Sequence, residues 1–98
     1  MTINKTTGAD KLIISIEGRL DAATAPQLEK EVSESIEGVK NLEFDFEKLE
    51  YISSAGLRVL LSAQKTMNKQ GSMTVVHVNE TIMEIFEVTG FNDVLTIQ

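Results

Sequence analysis

The sequence predicts a single α/β domain over residues 1–98, with a mixed sheet of about five strands and three to four helices, an antiparallel first hairpin and parallel strands after it. Apolar and polar residues alternate in two segments, Lys11 to Glu17 and Leu42 to Glu47, with the period of a strand. Elsewhere apolar residues return at i, i+3, i+4 and i+7, the period of a helix. After the first hairpin, strand-like and helix-like segments take turns, which calls for right-handed crossovers and parallel pairing.

Size agrees with one core. A folded chain of 10.8 kDa exposes roughly 5,500 Å² against roughly 15,700 Å² unfolded, so about 65% of its surface can be buried.

Taken in order, Met1 to Thr6 forms a short first strand, turned by Gly8-Ala9-Asp10 into a second at Lys11 to Glu17. In that second strand Leu12, Ile14 and Ile16 share a face, Ile13 interrupts the polar one, and Gly18 ends the run. Thr24 to Glu37 is expected to be a helix: Thr24 is the candidate N-cap, Pro26 lies in the first turn, Leu28, Val32, Ser35 and Ile36 form a stripe, and Gly38 stops it. Leu42, Phe44 and Phe46 then alternate with Glu43, Asp45 and Glu47, which places three carboxylates on a wet or poorly covered sheet face.

Leu57, Leu60, Leu61, Gln64 and Met67 mark a second helix over Ser54 to Lys69, stopped by Gly71. A valine-rich strand follows at residues 72–78. Ile82, Ile85, Phe86 and Phe91 indicate a third helix closed by Gly90, and Val94 to Ile97 a last short strand. No linker, repeat or low-complexity segment divides the chain.

Composition excludes several functions. There is no cysteine and one histidine, His77, so a disulfide framework, a thiolate zinc site and a histidine-based catalytic set are not expected. His77 falls in the valine-rich strand and reads as structural. With 15 acidic against 9 basic residues the net charge is −6, which disfavours nucleic acid and anionic membranes. Residues 29–50 hold eight carboxylates and three lysines, read as solvated faces. Neither a membrane span nor a signal peptide is recognisable, so a soluble cytoplasmic protein is expected. No phosphate-binding or dinucleotide loop occurs, and no cofactor is expected.

The informative segment is Tyr51-Ile52-Ser53-Ser54-Ala55-Gly56-Leu57, two hydroxyls at a strand-to-helix junction. In open α/β sheets such junctions lie at the carboxyl edge of the strands, where partners and ligands engage. The alternative is that one serine merely caps the helix. Gly56 is explained equally by close packing or by room for an approaching partner. Arg58, Ser62 and Lys65 form a helix face that is either plainly solvated or an extension of a docking surface.

Ser53-Ser54-Ala55-Gly56-Leu57 resembles the Asp-Ser-Ser/Thr-Gly-Leu signature of the STAS domain of bacterial anti-sigma factor antagonists. Gly18-Arg19-Leu20-Asp21, Asp45 and Val88-Thr89-Gly90-Phe91 agree with it, so the resemblance covers nearly the whole chain. It implies that Ser54 is a phosphorylated serine and that Gly56 and Leu57 match directly. Asp21 then matches the acidic residue beside the phosphosite, and Asp45 is a weaker match. Ser53 stands where the family often has Asp, and Ala55 where a second hydroxyl is usual. The resemblance further implies partner switching. The unphosphorylated chain binds an anti-sigma factor that is also a serine kinase, frees a sigma factor, and is reset by a serine phosphatase. The chain would be the substrate and not an enzyme. A STAS-like subunit of a transport or lipid-handling complex, working without phosphorylation, is the second expectation.

Overall fold

Five strands and three helices account for most of the chain in the computed structural model, which describes all 98 residues. They are β1 (Thr2–Thr7), β2 (Lys11–Leu20), α1 (Ala25–Ser35), β3 (Asn41–Asp45), β4 (Leu49–Ile52), α2 (Ser54–Gln70), β5 (Ser72–Val76) and α3 (Glu80–Thr89), followed by a 3₁₀ turn at Phe91–Asp93. The sheet runs β1-β2-β3-β5, with β4 also paired to β2. The β1-β2 pair is antiparallel and every other pair is parallel.

The period-2 pattern sets which face is buried. Leu12, Ile14 and Ile16 of β2, Leu42 and Phe44 of β3, and Met73 and Val75 of β5 enter one core with Leu28, Val32, Leu57, Leu60, Met67, Ile82 and Phe86 of the helices. All three helices therefore cover the same face of the sheet. The other face carries Ile13, Ser15, Glu17, Glu43, Asp45, Thr74 and Val76, all partly exposed. It is the wet face that the carboxylates of β3 predict. Antiparallel register puts Lys5 opposite Ile14 on the helix side, where it meets Glu31 of α1 at 2.7 Å.

Four features differ from the sequence-based expectation. First, β4 is a strand of its own: Leu49–Ile52 pairs with Gly18, Arg19 and Leu20, beyond the stretch of β2 that β3 occupies. Gly18 permits this with φ 97°, a register shift before Arg19, and an N–H donated to Lys48 O at 3.0 Å.

Second, Val94 to Ile97 is not a full strand, because only Ile97 bridges to Val75. Third, Phe91 lies outside the third helix, which Gly90 closes as expected. Gly90 takes φ 79° at its C-cap, and Phe91 turns into the 3₁₀ segment. Fourth, β5 stops at Val76. His77 has φ 57° and an exposed side chain, so it is not a structural strand histidine. No helix is long and apolar enough to cross a membrane.

Candidate functional site

The segment that the sequence singles out lies at the carboxyl ends of β2 and β4, adjacent strands joined there by Ser53 N–H donating to Leu20 O at 2.9 Å. That bond brings the start of α2 beside the β2–α1 connection. Ser53 occupies the N-cap of α2 in extended conformation, φ −99° and ψ 177°. Its hydroxyl makes no capping bond, and its Oγ is buried without a hydrogen-bond partner. Ser54 is the first helical residue and is exposed. Only one of the two hydroxyls is therefore presented to an incoming protein, and neither caps the helix.

Gly56 explains how the helix approaches so closely. A Cβ there would stand 2.7 Å from Leu20 Cγ and 2.8 Å from Ile52 Cγ1, so a side chain would displace the buried ends of β2 and β4. Close packing accounts for this glycine. Leu57 is buried in the core and anchors the first turn, while Ala55 is half-buried. Arg58, Ser62 and Lys65 are exposed along α2, as their spacing predicts. Ala55, Arg58, Val59 and Ser62 face Ala22, Ala25, Pro26 and Glu29 across a groove of about 300 Å³ between the starts of α1 and α2.

Asp21 has a structural task. Its Oδ1 accepts from Ala23 N–H at 3.0 Å and Thr24 N–H at 3.2 Å, while Asp21 N–H donates to Thr24 Oγ1 at 2.9 Å. This reciprocal pair organises the entry to α1 in the manner of a capping box. Thr24 stands at the N-cap position, but its side chain makes no capping bond. Its hydroxyl instead donates to Arg19 O at 2.9 Å. Partial desolvation raises the Asp21 pKa, but the Thr24 and Ala23 N–H groups, the Thr24 hydroxyl and the Arg19 charge outweigh it, and the net shift is downward. Arg19 is itself committed, with Nε 3.9 Å from Asp21 Oδ2 and its guanidinium 4.6 Å from the Tyr51 ring centroid.

Asp45 is held apart from this group. It pairs in register with Ser15, five strand positions before Leu20, or about 16 Å along β2 at the usual rise. Its side chain lies on the open face, where Oδ1 is 2.9 Å from His77 Nδ1 and accepts Glu47 N–H at 3.0 Å. Desolvation raises the Asp45 pKa, and the His77 hydrogen bond and charge with the Glu47 N–H bring it below the ordinary value. The hydrogen bond and charge of Asp45, aided by Glu47 and Glu43, raise that of His77 against a smaller desolvation effect.

One ligand atom each from Asp45, Glu47 and His77 lies within 4.8 Å of the others, the closest approach in the chain to a metal-ligand grouping. The imidazole is already engaged by Asp45. Because His77 belongs to that cluster, it is not positioned as a base for Ser54, and a serine–histidine nucleophilic arrangement is not assembled.

Asn79 was not singled out by sequence reasoning. Its Oδ1 accepts Ile82 N–H at 2.9 Å, capping α3, and its Nδ2 donates to Leu49 O at 2.9 Å, tying α3 to β4. The Asn79-Glu80 pair at the helix start is the N-cap signal that could have found it.

A sequence profile described as the STAS domain matches residues 1–98. BtrV of Bordetella bronchiseptica, named as a candidate anti-sigma factor antagonist, is 33% identical over 99 residues, covering 99% of this chain and 84% of that protein. The anti-sigma-B factor antagonist of Listeria monocytogenes is 30% identical over 97 residues, covering 96% and 84%. Among solved structures, an anti-sigma factor antagonist of Mycobacterium paratuberculosis superposes with a TM-score of 0.88 at 22% identity, covering 98% of this chain and 83% of that one. The Bacillus protein SpoIIAA, solved in unphosphorylated and phosphorylated forms, superposes at 0.78 and 0.77 with 18% identity, covering 99% of this chain and 87% and 91% of those.

Proposed function

The chain belongs to the STAS domain family, and from that premise we propose that it is an anti-sigma factor antagonist: a binding module controlled by phosphorylation of Ser54. The observation that carries this reading is the contrast within Ser53–Leu57. Ser54 alone presents its hydroxyl, on a helix start pinned by Gly56 and Leu57. Relatives named as anti-sigma factor antagonists, and a structural neighbour solved in a phosphorylated form, support the same role.

Unphosphorylated, the surface formed by Ser54, the groove beside Ala55 and Arg58, and the Asp21 loop docks an anti-sigma factor that is also a serine kinase, and a sigma factor is released. In the kinase the Ser54 Oγ–P bond forms as the γ-phosphate separates from ADP, and the hydroxyl proton passes to the kinase's base. The product adds about −1.5 to −2 of charge where the partner must fit, and docking ends. Because a helix start favours a nearby anion by about 0.3–1 kcal/mol, the modification leaves the domain folded and changes only its surface. A serine phosphatase restores the hydroxyl. In this cycle the chain is substrate and binding partner, with no catalytic residue of its own.

The test is intact-mass analysis and site mapping of wild type, Ser53→Ala and Ser54→Ala after incubation with ATP and the serine kinases of the same organism. One phosphate, lost only in Ser54→Ala, is expected. Labelling lost only in Ser53→Ala moves the acceptor by one residue. No labelling by any kinase overturns the switch and favours a constitutive binding subunit of a transport or lipid-handling complex.

A further inference from the structure

Arg58 follows Ser54 by four residues on α2, so the two sit one turn apart on the same strip of helix surface, with Cβ atoms about 5–6 Å from each other. Both are exposed. Helical Cα–Cβ bonds tilt toward the N-terminus, so the Arg58 stem leads toward Ser54 and not away from it. Arg58 is also the only charged residue between Ser53 and Gln64.

Its guanidinium is uncommitted. Lys5, Lys11, Arg19, Lys48 and His77 supply all the ion pairs of the chain, and Arg58 is in none of them. Glu29 lines the same groove without pairing to it. Arg19, the other cation at this edge of the sheet, is held by Tyr51 and Asp21. An unpaired arginine is notable on a surface with 15 acidic residues to 9 basic ones, and here it stands within one side chain's reach of the proposed acceptor.

We infer that Arg58 is the positioning residue of the modified state: its guanidinium binds two oxygens of a phosphate on Ser54 and holds that group against α2. This rests on the reading of Ser54 as the phosphate acceptor. The planar fork of arginine suits two phosphate oxygens at once, which a lysine ammonium does not. Modification then changes the docking surface twice. It places a dianion at the start of α2, and it draws a cation away from the groove shared with Glu29.

The test uses the full chain with phosphoserine installed at position 54 during translation, alongside its Arg58→Lys and Arg58→Gln forms, titrated by phosphorus NMR. The second ionisation of the phosphate is expected about half a unit lower with Arg58 than with Gln, since an opposite charge nearby favours the dianion. Arg58→Lys is expected to restore part of that shift, and raising the salt to about 1 M to shrink it. Coincident titrations in all three proteins overturn the inference. Equal melting temperatures of the unmodified forms establish that the difference does not come from unfolding. Since no kinase is involved, failure here is separate from failure of labelling, which would overturn the switch itself.

Discussion

Gly56 lies against Leu20 so closely that a Cβ on it would come within 2.7 Å of Leu20 Cγ. That contact holds the start of α2 over the ends of β2 and β4, and with it the exposed hydroxyl of Ser54. Alanine at position 56 gains up to about 1 kcal/mol of helix propensity but forces two buried branched side chains, Leu20 and Ile52, to move. Overpacking of this kind costs about 1–3 kcal/mol. Gly56→Ala is expected to be destabilised in urea unfolding. A midpoint equal to or above wild type would show that the core ends of β2 and β4 yield easily.

Ser53 gives the opposite expectation. A serine that caps a helix costs about 1 kcal/mol when replaced by alanine, but the Ser53 hydroxyl is buried and makes no bond. Removing an unpaired buried hydroxyl relieves a desolvation penalty. Ser53→Ala is therefore expected to match wild type within about 0.5 kcal/mol or exceed it. A loss near that of a true cap would mean that this hydroxyl turns to the first-turn N–H groups in solution.

Asp21 links the loop to pH. Its carboxyl is held below the ordinary 3.8, so its contribution to stability is present above that value and is lost as pH falls through the lower, folded-state one. Asp21→Asn is expected to be less stable than wild type at neutral pH, with the difference closing as pH falls below 3.8 and through the lower folded-state value. Thermal melts of both proteins across that range provide the check. A constant gap would place the carboxylate's charge outside the stability of the α1 entry.

The His77–Asp45 pair responds at the other end of the scale. His77 is raised above 6.5, so its stabilisation is complete below that pH and is lost as pH rises through the folded-state value. Asp45 is lowered below 3.8, so its share is lost only in stronger acid. Together they favour the fold most between about pH 4 and 6.5. Proton NMR should find the His77 titration displaced downward in Asp45→Asn, and unaltered in Ser54→Ala because the two sites lie on separate parts of the sheet. An unmoved His77 in Asp45→Asn would refute the pair.

Although β2 runs on through Gly18 to Leu20 and α1 ends at Ser35, before Gly38, the local periods of the chain were enough to determine the alternation of strands and helices, the core face of β2 and β3, the bare carboxylate face, and the helix stops at Gly71 and Gly90. Each of these depends on residues a few positions apart. The motif at Ser53–Leu57 was likewise legible as a strand-to-helix junction. The strand β4 was not, because Leu49–Ile52 is too short to show a period and exists only by pairing with Gly18, Arg19 and Leu20. Residues 32 positions apart decided the role of His77, which leaves β5 with φ 57° to meet Asp45.

Asp45 belongs with His77 and not with Ser54 because register sets it opposite Ser15, and Asp21 proves to shape the α1 entry that borders the site. Residue type and spacing do not separate the two adjacent serines, and the family resemblance alone favours Ser54. Tertiary packing alone buries the hydroxyl of Ser53 and exposes Ser54, since which side of a helix start faces the core is set by the strand ends beneath it.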